Sequence, residues 1–102
     1  MLSNINILGP AQSSQALAAR LRALRLMKGW TRETLAQRSG VSSASLKRFE
    51  NSGKASLDLV LKTAHALSRL GEFDELFQPP PARSLAELEK RAEQPNRRRG
   101  RT

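Results

Sequence analysis

Ser43, Ala44, Lys47 and Arg48, in the run SASLKR, are the residues whose types and spacing could do chemistry. On a helix, positions four apart stand on one face, so these four side chains share a side. That side is short, polar and cationic, and the next acid along the chain is Glu50. A lysine so placed can donate to guanine O6 or N7. A serine can bond a base or a phosphate, and an alanine can meet a thymine methyl. This is recognition chemistry. A catalytic centre needs a convergent nucleophile, base and oxyanion donors, or metal ligands. The chain has a single histidine, His65, and no cysteine or tyrosine, and three of its acids (Glu72, Asp74, Glu75) form one local cluster. There is no glycine-rich phosphate loop carrying a lysine. The expectation is therefore no enzyme, no cofactor and no metal.

The elements that must position this face lie in residues 31–51, TRETLAQRSGVSSASLKRFEN. They read as two short helices joined by a tight turn. Thr31 can cap the first by accepting an orphan N–H. Leu35 and Ala36 point inward, Gly40 turns the corner at positive φ, and Val41 plugs it. Ser42 can cap the second helix, whose apolar side carries Leu46 and Phe49. A second helix propped on a first, with small polar and cationic side chains at its exposed start, fits the major groove of double-stranded DNA. The candidate DNA-contacting set is Thr31, Arg32, Ser42, Ser43, Ala44, Ser45, Lys47, Arg48, Asn51 and Lys54. Arg32 begins the first of the two helices, where unpaired N–H groups favour a phosphate; a solvated surface arginine is the alternative. Asn51, Ser52 and Lys54 are expected in a loop facing the DNA backbone.

Arg32, Ala36, Gly40, Val41, Leu46 and Phe49 fall on the spacing of the helix-turn-helix motif. The surrounding text, RLRALRLMKGWTRETLAQRSGVS and SLKRFENSGKASLDLVLKTAHAL, resembles the lambda-repressor/Cro (Xre-like) family over roughly residues 14–71. The resemblance implies an all-α, lambda-repressor-like domain of four to five helices with a short helical or disordered C-terminal extension. It implies a structural ion pair between Arg25 and Glu50, tying the first helix to the recognition helix. It also implies a DNA-binding transcriptional repressor. The phrases QALAARLRALRLMKGWTRETLA and ENSGKASLDLVLKTAHAL are similar to the HipB-type branch, antitoxin partners of HipA-type kinase toxins. A stand-alone Xre-like regulator and a protein-interaction module without DNA binding are the alternatives. One departure is visible: the family's Glu-Asn-Gly is here Glu50-Asn51-Ser52-Gly53, which inserts or shifts a residue after the recognition helix.

The 102 residues carry a net charge of +9, room for one small domain with tails and a balance suited to a polyanion. Between Arg20 and Arg48 the basic residues are Arg20, Arg22, Arg25, Lys28, Arg32, Arg38, Lys47 and Arg48, against the single acid Glu33. Without cysteine there is no disulfide framework and no thiolate metal site. No run approaches the apolar length of a membrane span, so a cytoplasmic protein, nucleoid-associated on DNA, is expected.

Three regions follow: an arm at 1–12, a domain at 13–78, and a Pro-rich linker, short helix and basic tail at 79–102. Ile5 and Ile7 alternate in the arm, which reads as flexible or as a short pairing strand. The first helix is expected from 13 or 14 to 28, with Leu17, Leu21, Leu24 and Met27 or Lys28 inward and Gly29 as its stop. Trp30 should pack over the start of the second helix, 32–38, ahead of the third at 43–50. The fourth, from 57 to about 70 behind Ser56, carries Leu57, Val60, Leu61, Ala64 and Leu67 on one stripe. Leu59, Ala66 and Leu70, extended by Phe73, Leu76 and Phe77, form a second. A helix apolar on two sides buries both, so these six residues are the expected homodimer interface; a local fifth helix folding over them is compatible with it. His65 reads as an ordinary boundary residue. Pro79-Pro80-Pro81 ends the domain. Ser84 and Glu87 form a capping box for a marginal helix at 85–94, ahead of the basic run 95–101.

Overall fold

The computed structural model describes residues 9–82 and 84–93. Among them the secondary structure is all-helical: α1 (Pro10–Met27), α2 (Arg32–Ser39), α3 (Ser43–Ser52), α4 (Leu57–Ala66), a 3₁₀ helix (Leu70–Glu75) and α5 (Leu85–Glu93). The expectations for Ile5 and Ile7, for Gln94 and for the basic run 95–101 fall outside the described residues.

Each short helix of the motif is started by a side-chain cap and stopped by a left-handed glycine, Gly40 or Gly53. Thr31 Oγ1 accepts from the Thr34 amide at 3.0 Å, and Ser42 Oγ from the Ser45 amide at 3.0 Å. Ser56 Oγ caps α4 in the same way, accepting from Leu59 at 3.0 Å. Such caps each contribute about 1 kcal/mol by satisfying an orphan donor. They are what make helices of eight to ten residues tenable at these lengths.

α1 packs on α3, α2 packs on both α3 and α4, and the 3₁₀ helix packs on α4. Ala18, Leu21, Leu35, Ala36, Leu46, Phe49, Leu59, Val60 and Leu67 form the buried core, with Leu17, Leu24, Trp30, Val41, Ala66 and Phe73 packed around it. Thr63 is fully buried among these apolar residues, and its hydroxyl donates to Leu59 O at 3.0 Å and Val60 O at 2.9 Å. A self-satisfied threonine is cheap to bury.

Four expectations are corrected. α1 starts at Pro10, not Ser13 or Ser14: proline lacks only an N–H that the first turn leaves unpaired, and the Ser13 amide closes that turn on Gly9 O at 2.9 Å. Leu17, Leu21 and Leu24 do face the core, together with Ala18 and Arg25, but Met27 is 81% exposed and Lys28 is exposed too. α4 ends at Ala66 rather than near Leu70, because Ser68 takes φ 63° and the Arg69 amide returns to Ala64 O at 2.8 Å. That reversal closes the helix before Gly71 is reached. Finally, Leu59, expected at a dimer face, is buried in the chain's own core, and Leu57, expected inside, is exposed. The inward face of α4 runs through Leu59, Val60, Thr63 and Ala64, with Leu67 at its C-cap.

The two motif glycines differ in their surroundings. Gly40 and Gly53 both sit in the left-handed region, at φ 82° and 80°. A Cβ on Gly40 meets nothing within 4 Å, whereas on Gly53 it would stand 2.9 Å from Gln15 N in the backbone of α1. Gly40→Ala should cost about 1 kcal/mol, the left-handed penalty alone. Gly53→Ala should cost about 1–3 kcal/mol more, because α3 must lift off α1. Chemical denaturation of the two variants checks this ordering; equal losses contradict the packing at Gly53.

Candidate nucleic-acid interface

Glu50 fixes the pose of α3. Its side chain is inaccessible to solvent, as is nearly all of that of Arg25. Arg25 Nε and Nη2 donate to the two carboxylate oxygens at 2.8 Å each, the bidentate form that matches a guanidinium to a carboxylate. Arg25 Nη1 donates to Trp30 O at 2.8 Å, anchoring the segment between α1 and α2 as well. Arg32 adds a third contact, Nε to Glu50 Oε1 at 3.0 Å, from a side chain about one-third exposed. One carboxylate thus joins α1, the start of α2 and α3.

Burial alone pushes the Glu50 carboxyl up; the hydrogen bonds from Arg25 and Arg32 outweigh it and hold the group below the ordinary carboxylate range. The bond to Glu50 raises the Arg25 guanidinium in turn. The electrostatic consequence lies outside the pair. Glu50 is the only acid of α3, and with it enclosed the exposed side of the helix is left with Lys47 and Arg48.

The structure places Ala44, Ser45, Lys47, Arg48, Asn51 and Lys54 on the surface, with Ser43 half-buried. Thr31 and Ser42 are exposed, but their hydroxyls are engaged: Thr31 Oγ1 lies 3.0 Å from Thr34 Oγ1, and Ser42 Oγ donates to Ser45 Oγ at 2.8 Å. Asn51 and Ser52, expected in a loop, form the last turn of α3. The extra residue before Gly53 is absorbed by lengthening the helix. Ser52 Oγ donates to Arg48 O at 2.6 Å and accepts from the Lys54 amide at 3.1 Å, which turns the chain beside the helix end. A polar recess of about 230 Å³ opens there, lined by Ser45, Arg48, Lys54, Ala55, Ser56 and Leu59. Two cations at its wall suit a phosphate oxygen.

Two features escaped the sequence reading. Arg32 is drawn inward to Glu50, a pairing across 18 positions that helical spacing cannot show. Trp30, half-buried over the core, is flanked by Arg38 with Cζ 4.5 Å and Lys28 with Nζ 5.4 Å from the ring centroid. Both distances fall within cation–π range. His65 is exposed, and no group of acids, histidines or cysteines among the described residues could hold a metal ion. No helix among the described residues is long and apolar enough to cross a membrane.

A family model described as Helix-turn-helix domain matches residues 16–75, more than half of the chain. The protein belongs to this helix-turn-helix family, of the Xre/Cro-like type, a class of DNA-binding regulators. No curated protein and no solved structure matches the chain.

Removing Glu50 leaves Arg25 charged and enclosed, so Glu50→Ala should cost about 3–5 kcal/mol. Arg32 can swing into water, and Arg32→Ala should cost no more than about 1 kcal/mol. Because the folded carboxyl lies below its unfolded value of about 4.3, the pair stabilises fully above that value and is lost as pH falls through the folded one. Thermal melts should therefore show the wild type losing more stability than Glu50→Gln on acidification below about pH 4. Parallel pH profiles contradict the assignment.

Proposed function

We propose that the protein is a sequence-specific, operator-binding transcriptional repressor acting as a homodimer. The observation that carries this reading is the exposed, acid-free side of α3, with Lys47 and Arg48 outward and Glu50 enclosed behind it. Each subunit presents α3 to the major groove of one half-site, the two half-sites lying about 34 Å apart. Lys47 and Arg48 make the base-edge contacts. Ser43 and Ala44 add modest discrimination. Thr31, Ser42, Ser45, Asn51 and Lys54 line the phosphates. Arg32 reaches a phosphate only by sharing its guanidinium with Glu50. With few long polar side chains on the reading face, DNA shape and deformability carry part of the specificity.

For the dimer, Leu76 and Phe77 are the exposed large apolar residues between α4 and α5, and Leu70 is half-buried. Ala66 and Phe73 support this surface from the core side. The narrower role, antitoxin and autorepressor of a HipA/HipB-type pair, is supported by the resemblance of residues 15–36 and 50–67 to that branch. Co-purification of the full chain with a HipA-type kinase encoded beside it tests that role. A cytoplasmic, nucleoid-bound location follows from the same reading.

Affinity for duplex DNA should fall steeply with salt, log affinity dropping by about 0.9 per neutralised phosphate for each decade. A flat response supports a protein-interaction module instead. Lys47→Ala should lose base preference at one operator position, by about 1–3 kcal/mol. Uniform weakening across operator variants would make Lys47 a phosphate contact. Leu76→Asp with Phe77→Asp, both at exposed positions, should give monomers by light scattering with poor operator affinity; an unchanged dimer moves the interface elsewhere.

A further inference from the structure

α5 and a groove between α1, α4 and the 3₁₀ helix are each incomplete, and they match. The groove, about 170 Å³, is lined by Leu17, Leu24, Val60, Ala64, Phe73 and Leu76, with Arg20 and the ion-paired Arg69 and Glu72 also at its wall. Its volume is close to the roughly 150 Å³ that accommodates a benzene ring, so a leucine side chain fits. None of its lining residues comes from α2 or α3, so filling it leaves the DNA-facing side open.

α5 supplies the complement. Leu85, Leu88 and Ala92 recur at three and four positions and form one edge, flanked by Glu89. Leu85 and Leu88 are exposed, 71% and 52%, and no residue of α5 lines the groove. The Glu87–Arg91 ion pair, at 3.1 Å, lies to one side of that edge. Glu89 beside the leucines matches the exposed Arg20 beside the groove in charge. The chain leaves the groove at Leu76 and enters Pro79-Pro80-Pro81, a spacer stiffened in extended form. A return to its own groove would have to be made by the few residues outside the prolines, 77–78 and 82–84.

We propose that α5 of one copy lays its leucine edge in the groove of a second copy, so that two chains exchange their C-terminal helices across a two-fold axis. This rests on the homodimer reading and gives that dimer its contacts. Such an exchange closes on itself, because each copy gives and receives the same element.

The chain has no native cysteine, so introduced thiols report one contact at a time. Full-length Leu88→Cys chains are mixed with differently tagged Leu17→Cys or Leu24→Cys chains and treated with a short bis-maleimide, each thiol adding across one maleimide double bond; a chain carrying both Leu17→Cys and Leu88→Cys is treated in parallel. A crosslinked heterodimer is expected. Crosslinks formed only within a chain carrying both substitutions, or none at all, overturn the exchange. In parallel, Leu88→Asp, at an exposed site and with folding checked by Trp30 fluorescence, should raise the dimer dissociation constant about tenfold or more. A dimer of unchanged affinity overturns the exchange and leaves the homodimer standing. A wild-type chain that is monomeric at every concentration overturns both.

Discussion

The enclosed Glu50 carboxylate is the constraint on which the rest of the structure depends. It receives Arg25 from α1 and Arg32 from α2, so the recognition helix is held at both neighbours by one group. Enclosing an ion pair is not a strong stabiliser, because desolvation of both charges offsets their attraction. Its value is directional. A bidentate guanidinium–carboxylate pair has one good geometry, and that geometry sets the angle of α3 against α1. Gly53 works at the other end of the same contact, bringing the end of α3 against the α1 backbone at Gln15.

The same enclosure shapes the field outside. Coulomb interaction between surface charges is weak in water but persists over a Debye length of about 8 Å at physiological salt. An exposed acid at position 50 would lie within that range of Lys47 and Arg48, three and two residues away. Held inward and neutralised, it leaves their attraction for a polyanion undiminished. Pose and potential thus have a single origin. The capping hydroxyls show a related economy: Thr31 and Ser42 spend their oxygens on helix starts, so the outward chemistry of the motif falls to the cations.

Much of this was legible in the sequence. Gly40 at a corner, Thr31, Ser42 and Ser56 as caps, and Leu46 with Phe49 on one face follow from local rules with few competing solutions. Three expectations fail, two at helix ends set by local backbone geometry and one at a face set by tertiary packing. The first helix, expected from 13 or 14, starts earlier, at Pro10, a position where proline's missing N–H costs nothing. Leu59 is expected on an outward stripe, whereas packing on α2 turns the face carrying Leu59 and the buried Thr63 inward. The fourth helix is expected to run to about 70, and Ser68, in the left-handed region, ends it at Ala66. At the site, the spacing of Arg32 and Glu50 across separate helices carried no periodic signal.

We propose that the outward side of α3 meets nucleobases. Backbone amide shifts in NMR, followed while duplex DNA containing the operator is added to the full chain, test it most directly. The largest changes should map to Ser43, Ala44, Lys47 and Arg48, with the amides around Lys54 next. If those amides are unmoved while another surface responds, or if no surface responds, the assignment of α3 as the reading helix is contradicted.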